Sequence, residues 1–272
     1  MLVPFSTVIK TKDIHPLAVY FPGRPIRIII PTASSNGDNF KKCMEHISRS
    51  ELPEGTFVTV VISSGSDFSF SKSINYALSM VRDEDILLLN DDCFVRGNAI
   101  KNVISSIKEN DGVVGALLYY PDGSIQHNGG ILYFNPVEIF FKDLLNGAPL
   151  NPIRSLWKAK RAHTKYVRAF HNKKKKPKRI DFVTGAFFFI PNKAFHTIGY
   201  MDEGFVNGFE DADYCLRAKN LGLGVRVEES AEAIHKEHAS LKAFSNNFMN
   251  NIINFNKKWN RNTVNHLRNK ND

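Results

Sequence analysis

Two groups of carboxylates and one pair of histidines are the parts of this 272-residue chain whose types and spacing could do chemistry. The first group is Asn90, Asp91 and Asp92, set directly after the apolar run "DILLL". Adjacent carboxylates repel one another unless a cation or a proton sits with them. Oxygen donors grouped in this way suit Mg2+ or Mn2+, which bridge readily to phosphate oxygens. A solvated turn capping a helix has the same bare "DD", so the surroundings decide between the readings. The second group lies in "FEDADYCLR", where Glu210, Asp211 and Asp213 place three acids within four residues, more than helix capping requires. One of them beside an attacking hydroxyl would act as a general base. Gly204 and Gly208 before the cluster predict a mobile loop able to close over a substrate. His235 and His238, in "AIHKEHAS", fall in a loop after a predicted strand, where either can be a metal ligand or an ordinary surface histidine.

The elements that must position these groups follow from hydrophobic spacing. "IRIIIPTASS" is a near-continuous β-branched run ending at Pro31 and Thr32, the pattern of a strand buried on both faces. "NFKKCMEHISRS" has helical spacing at Phe40, Cys43, Met44 and Ile47. "TFVTVVISSGS" predicts a second buried strand, "FSKSINYALSMVR" a helix apolar at Ile74, Ala77, Leu78 and Val81, and "DILLLNDDCF" a third strand. Strand, helix, strand, helix, strand with short connections is the pattern of parallel βαβ units. Ligands of such sheets sit beyond the carboxyl ends of the strands. The loops "PTASS", "SSGSD" and "NDDC" should therefore meet at one crevice.

The second half changes character. "GVVGALLYYPDGSIQHNGGILYF" predicts a hairpin about its "PDG" turn. Residues 153–171 have helical spacing, "RIDFVTGAFFFIP" reads as another buried strand, and "GFEDADYCLRAKNLG" as a helix. "GVRVEESAEAIH" predicts the last strand. Phe248, Ile252, Phe255 and Trp259 repeat at helical spacing, which predicts a docked helix from the Asn-rich segment.

Hydrophobic content of 43% and charged content of 23% fit a globular α/β protein. The chain has no apolar run near the roughly 20 residues needed to span a bilayer. Its first residues also lack the features of a secretory signal. Cys43, Cys93 and Cys215 form no disulfide framework and no zinc pattern, which favours a reducing, cytoplasmic setting. The net charge of +9 is concentrated in residues 151–180, which hold twelve Lys or Arg and no acid. The remaining 24 basic and 27 acidic residues come to −3, so any anionic partner must engage that segment. With Trp157, Tyr166 and Phe170 interleaved, the segment suits an anionic membrane surface. A nucleic acid, its phosphates on the Lys and Arg and its bases on the aromatics, is the competing partner.

In order, strand–"PT", strand–"SSGS", "FSKSINYAL", "LLLNDD", "VVGALLYYPDGSIQHNGG", "VTGAFFFI", "IGYMDEGF", "FEDADYCLR" and "AIHKEHAS" resemble family 2 glycosyltransferases of the GT-A fold. The resemblance is nearest to the branch containing rhamnosyl- and other sugar transferases of cell-surface polysaccharides. It covers roughly residues 26–260. It implies an α/β, Rossmann-like, mostly parallel sheet flanked by helices, with a small antiparallel element and a basic helical insert. Residues 1–25 become an N-terminal extension, 26–110 a nucleotide-binding half, 111–240 an acceptor half with the insert at 136–180, and 241–272 a C-terminal helix and tail.

The resemblance also implies roles. Asp92 would bind Mn2+ or Mg2+ with His235, and Asn90 and Asp91 would lie near the ribose and phosphates. Asp211 would be the base of an inverting transfer, with Glu210 orienting the acceptor. Gly185 and Ala186 would face the donor sugar and acceptor, and Pro31, Thr32 and Asn75 would line the nucleotide crevice. The family usually carries an Asp after the second strand, and Ser63 stands there instead, which leaves the nucleotide base open. The donor implied is a nucleotide-diphosphate sugar and the acceptor a saccharide or lipid-linked molecule, with the protein cytoplasmic and peripheral to the inner membrane face. Three rivals are a nucleotidyltransferase, a transferase acting on a nucleic acid or other polyanion, and a non-catalytic carbohydrate- or partner-binding relative. "PTASSNGD" lacks the Gly-rich, basic loop of the first. A non-catalytic relative need not keep Asp92, Asp211 and His235 together.

Overall fold

A computed structural model describes residues 5–10, 19–63, 69–134, 168–174, 177, 179–236 and 244–270. The basic insert between residues 135 and 167, the loop at 64–68 and His238 lie outside these residues.

The first three predicted strands form as read. β3 (Ile26–Thr32), β5 (Phe57–Ile62) and β6 (Asp85–Leu89) are parallel, with β3 in the middle. Successive residues project to opposite faces of the sheet. Ile28, Ile30, Leu87 and Leu89 join one core layer, while Ile29 and Leu88 join the other. Helix α1 (Asp38–Ser48) covers the first layer with Phe40, Cys43, Met44 and Ile47, the four residues its spacing predicted. Helix α2 (Phe70–Leu78) covers the second with Ile74, Ala77 and Leu78. Pro31 has no N–H to donate, and it falls beyond Ile29, the last residue of β3 paired with β6.

The sheet is mixed beyond that point. β12 (Phe187–Ile190) pairs antiparallel to both β6 and β8 (Asp111–Tyr119), and β13 (Gly224–His235) runs parallel to β8. β7 (Cys93–Val95) closes that end against β13, and β9 (Ile125–His127) pairs with β8 across the predicted turn. The full order is β1-β5-β3-β6-β12-β8-β13-β7. β12 enters in reverse, so its first residue, Phe187, lies opposite Leu89, the last of β6. The turn before β12 is thereby delivered to the carboxyl edge of the parallel strands.

Two expectations change here. The N-terminal segment is part of the sheet, because β1 (Phe5–Lys10) pairs antiparallel with β5, while β2 (Val19–Phe21) pairs with β4 (Glu51–Pro53). Residues 168–171, read as the end of a helix, form strand β11 (Arg168–His171) against β10 (Gly130–Tyr133). Ladder hydrogen bonding there outweighs the local helical spacing, and Tyr133 and Phe170 pack edge to face at 5.4 Å. Gly129 and Gly130, at the start of β10, leave no space for a side chain. A Cβ at Gly129 would fall 2.6 Å from Ile180 and one at Gly130 2.1 Å from Phe182.

Helix α3 (Ala99–Ser105) packs on the first core layer through Ala99, Ile100 and Val103. The remaining helices, α4 (Asn192–Ile198), α5 (Glu210–Asn220), α6 (Phe244–Lys258) and α7 (Arg261–Lys270), sit on the second. The Asn-rich segment docks as predicted, burying Ile252, Phe255 and Trp259. What was read as a tail is α7, buried at Val264 and Leu267 and tied by Arg268 to the buried Asp181.

Candidate active site

Leu89 ends β6, and Asn90-Asp91-Asp92 make the turn into β7. The two carboxylates part company there. Asp91 turns toward β3, where the Thr32 hydroxyl donates to its Oδ2 at 2.6 Å. Burial, with the Asp92 charge beside it, raises the Asp91 carboxyl above the usual range, and the Thr32 hydroxyl opposes this. Asp92 is buried and turns the other way, its Oδ1 standing 3.2 Å from His235 Nε2. His235 is the last residue of β13 and pairs with Cys93, so the histidine read as a loop residue is held by the sheet. The backbone closes the pair as well, Lys236 N–H donating to the Asp92 carbonyl at 3.1 Å.

A carboxylate oxygen and an imidazole nitrogen this close, both buried, are a donor pair whose chemistry fits Mn2+ or Mg2+. Among the described residues, no group of three or more His, Cys, Asp or Glu side chains is gathered as a complete metal cage. Cys43 and Cys93 lie behind the turn with their thiol pKa values raised by burial. Cys43 Sγ donates to the Asn90 carbonyl at 3.7 Å, and all three cysteines are free.

The second carboxylate cluster opens α5. Asp211 Oδ2 accepts the Gly185 N–H at 3.1 Å, and its Oδ1 accepts the Ala212 N–H at 2.7 Å. Glu210 is buried, and burial together with the Asp211 charge pushes its carboxyl up to about 8. Burial also raises Asp211, against the pull of its two N–H donors. Two neighbouring carboxyls, both raised by burial, favour sharing a single charge between them. A carboxylate with raised basicity is suited to taking a proton. Asp213 is structural. It is fully buried and binds Trp259 Nε1 at 2.8 Å, Lys258 Nζ at 2.8 Å and Arg217 Nε at 2.9 Å.

Gly185 and Ala186 join the two clusters, and Thr184 before them binds a histidine. Gly185 gives its N–H to Asp211, Ala186 gives its carbonyl to the Asn90 N–H at 3.1 Å, and Thr184 gives its N–H to His127 Nε2 at 3.2 Å. Sequence reading assigned no role to His127, although it sits in the "GSIQHNGG" stretch. Its ring is buried, and burial, with His171 and His235 nearby, lowers its pKa well below the ordinary value, so it is neutral. Because Nε2 accepts from Thr184, the ring proton is on Nδ1, which stands 2.6 Å from His171 Nδ1.

Asn75 reaches across to the loop before α5. Its Nδ2 donates to the Met201 carbonyl and to Glu203 Oε1, both at 2.9 Å, and its Oδ1 accepts the Met201 N–H at 2.9 Å. The amide therefore holds the loop before α5. That loop, expected to be mobile, is tied from both sides. Phe70 N–H donates to Asn207 Oδ1 at 3.0 Å, Asn251 makes two bonds to the Val206 backbone at 3.0 and 2.8 Å, and Asn254 binds the Gly204 carbonyl at 2.9 Å. These bonds support a strained entry to α5. Asn207 (φ 53°) and Phe209 (φ 70°) are both left-handed, at about 1–2 kcal/mol each. Ser63 gives its N–H to the Thr32 carbonyl at 3.0 Å, at the end of β5.

A mixed sheet with this turn and these two carboxylate clusters at one edge is the GT-A fold of glycosyltransferases. The crystal structure of GalNAc-T7 with UDP, GalNAc and Mn2+ matches it with a TM-score of 0.53 at 10% identity, over 77% of this chain and 42% of that one. The chain belongs to glycosyltransferase-like family 2, whose profile matches residues 49–249. An uncharacterized protein of Sinorhizobium fredii, y4gI, is 29% identical over 176 residues, and the O-antigen biosynthesis protein RfbC of Myxococcus xanthus is 26% identical over 178. Those alignments take in 64% and 65% of this chain and 17% and 13% of the relatives, so the chain spans less than a fifth of their length.

Proposed function

We propose that the protein is an inverting, divalent-metal-dependent glycosyltransferase that moves a sugar from a nucleotide-diphosphate donor to an acceptor hydroxyl. The observation that carries this reading is the Thr184–Ala186 turn, whose backbone binds Asp211 on one side and Asn90 of the acidic turn on the other. A base and a phosphate-side metal pair at one strand edge are what a single displacement needs.

Asp92 and His235 would hold Mn2+ or Mg2+, which when bound offsets charge building on the departing diphosphate. Asn90, Asp91, Pro31, Thr32 and Ser63 border the nucleotide, and Gly185 and Ala186 the sugar. Asp211 takes the proton of the acceptor hydroxyl as its oxygen attacks the anomeric carbon from the face opposite the diphosphate. The bond from that carbon to the diphosphate breaks, its electron pair leaves with the diphosphate, and the configuration inverts. Neutral Glu210 keeps a second charge out of the base's surroundings and helps to orient the acceptor.

The relative RfbC is an O-antigen biosynthesis protein, which favours a saccharide or lipid-linked acceptor in cell-surface polysaccharide synthesis. Residues 151–180, with twelve cations, would bring the protein to the anionic inner face of a membrane. Among the described residues no helix is long and apolar enough to cross one.

The test is a thermal-shift screen of UDP, GDP, dTDP, CDP and ADP, with and without Mn2+, on wild type and Asp92→Ala. A nucleotide at 100-fold over its Kd adds about 2.7 kcal/mol of apparent stability. One metal-dependent shift, lost in the variant, is the expected result and names the base. No shift with any nucleotide would overturn the reading in favour of a non-catalytic relative.

A further inference from the structure

Gln126 is the middle residue of β9, and it is buried. β9 pairs with β8 through Leu118↔His127 and Tyr119↔Ile125, which leaves Gln126 as the extra residue of a bulge. A bulge re-aims a side chain, and here it sends the Gln126 amide to His235, 109 residues along the chain. Both ends of that amide are used. Nε2 donates to the His235 carbonyl at 3.0 Å, and Oε1 lies 2.8 Å from His235 Nδ1.

The pair of contacts determines where the imidazole proton sits. A backbone carbonyl only accepts, so the end of the amide facing it must be the NH2. The other end is then the oxygen, which also only accepts, so His235 Nδ1 must carry a hydrogen. A neutral imidazole has one such hydrogen. Its Nε2 is left with the lone pair, 3.2 Å from Asp92 Oδ1.

We propose that Gln126 is a positioning residue of the metal site. It holds His235 as the Nδ1–H tautomer, so that Nε2 and the Asp92 carboxylate are presented together to a divalent cation. The proposal rests on the reading of Asp92 and His235 as metal ligands. An outer amide or carboxylate that orients a ligating histidine is commonly worth 10–100-fold in metal affinity. Gln126 does this with neutral chemistry, adding no third negative charge behind Asp91 and Asp92.

The experiment is long-range 1H–15N correlation of the imidazole rings at a pH where they are neutral. His235 is assigned among the nine histidines by the spectrum of His235→Asn, and Mn2+ titrations are followed in parallel by electron paramagnetic resonance. Wild-type His235 is expected in the Nδ1–H form. Gln126→Leu should move the proton to Nε2, facing Asp92, and weaken Mn2+ binding about 10–100-fold. Gln126→Glu keeps an acceptor in place, so it should retain the Nδ1–H form and lose less than about tenfold in affinity. It also serves if the leucine variant does not fold. Wild-type His235 in the Nε2–H form, or a Gln126→Leu protein in which either readout is unchanged, overturns the proposal. A ring locked by Gln126 in a protein without measurable Mn2+ affinity overturns instead the metal reading beneath it, so the two failures are distinct.

Discussion

Replacing Glu210 by glutamine keeps the side chain's size and removes its ability to ionise. In the native protein, burial and the Asp211 charge push this carboxyl from an ordinary 4.5 to about 8. The unfolded chain gives up the proton near the ordinary value, so across that window the folded state holds a proton that the unfolded state has lost. Stability from this group is therefore fully present below the unfolded value and is lost as the pH rises toward about 8. At about 1.4 kcal/mol per pH unit, the window from 4.5 to about 8 sets a ceiling of about 5 kcal/mol. Because the two carboxyls titrate as a pair, the realised fall is expected nearer about 2–3 kcal/mol. Urea unfolding from about pH 5 to about pH 8 measures it. The advantage of Glu210→Gln over wild type should be small at the acid end and grow by that amount toward the alkaline end. Parallel profiles for the two proteins would show that Glu210 is ionised in the fold. The assignment of the pair's single charge, and of the base, to Asp211 would then fail.

Asp211→Asn keeps an oxygen for the Gly185 N–H but cannot accept the acceptor's proton. Steady-state kinetics should show kcat lower by about 10²–10⁴, with the donor KM little changed. A fall in donor binding with kcat intact would place Asp211 on the wrong substrate. Asn251→Ala removes both bonds to the Val206 backbone and should cost about 1–3 kcal/mol, with faster amide hydrogen exchange across residues 199–209. Unchanged exchange there would mean that α6 does not hold the loop.

The parallel core was readable because strands buried on both faces leave near-continuous apolar runs, as in "IRIII" and "DILLL". The acidic turn was readable for the converse reason, two charges standing where such a run stops. The reversed β12 was not, since "FFFI" looks the same in either direction and its orientation is set by partners in β6 and β8. Asn75 and Asn251 were opaque for a related reason. An amide's role depends on which backbone it meets, and theirs lies 126 and 45 residues away. Asp213 stood with Glu210 and Asp211 in one acidic cluster because helical spacing cannot tell a carboxylate facing a crevice from one facing Trp259.

The clamp on the loop before α5 also imposes an order of events during synthesis. β3, β5, β6 and the acidic turn can pair as soon as they emerge. The loop before α5 waits for Asn251, 45 residues after Val206, and Asp213 waits for Trp259, 46 residues later. At about 5–20 residues per second of translation, each of these contacts waits about 2–9 s for its partner to be made. A nascent chain thus passes through a stage in which the Thr32–Asp91 contact can form while the loop before α5 is still without its clamp.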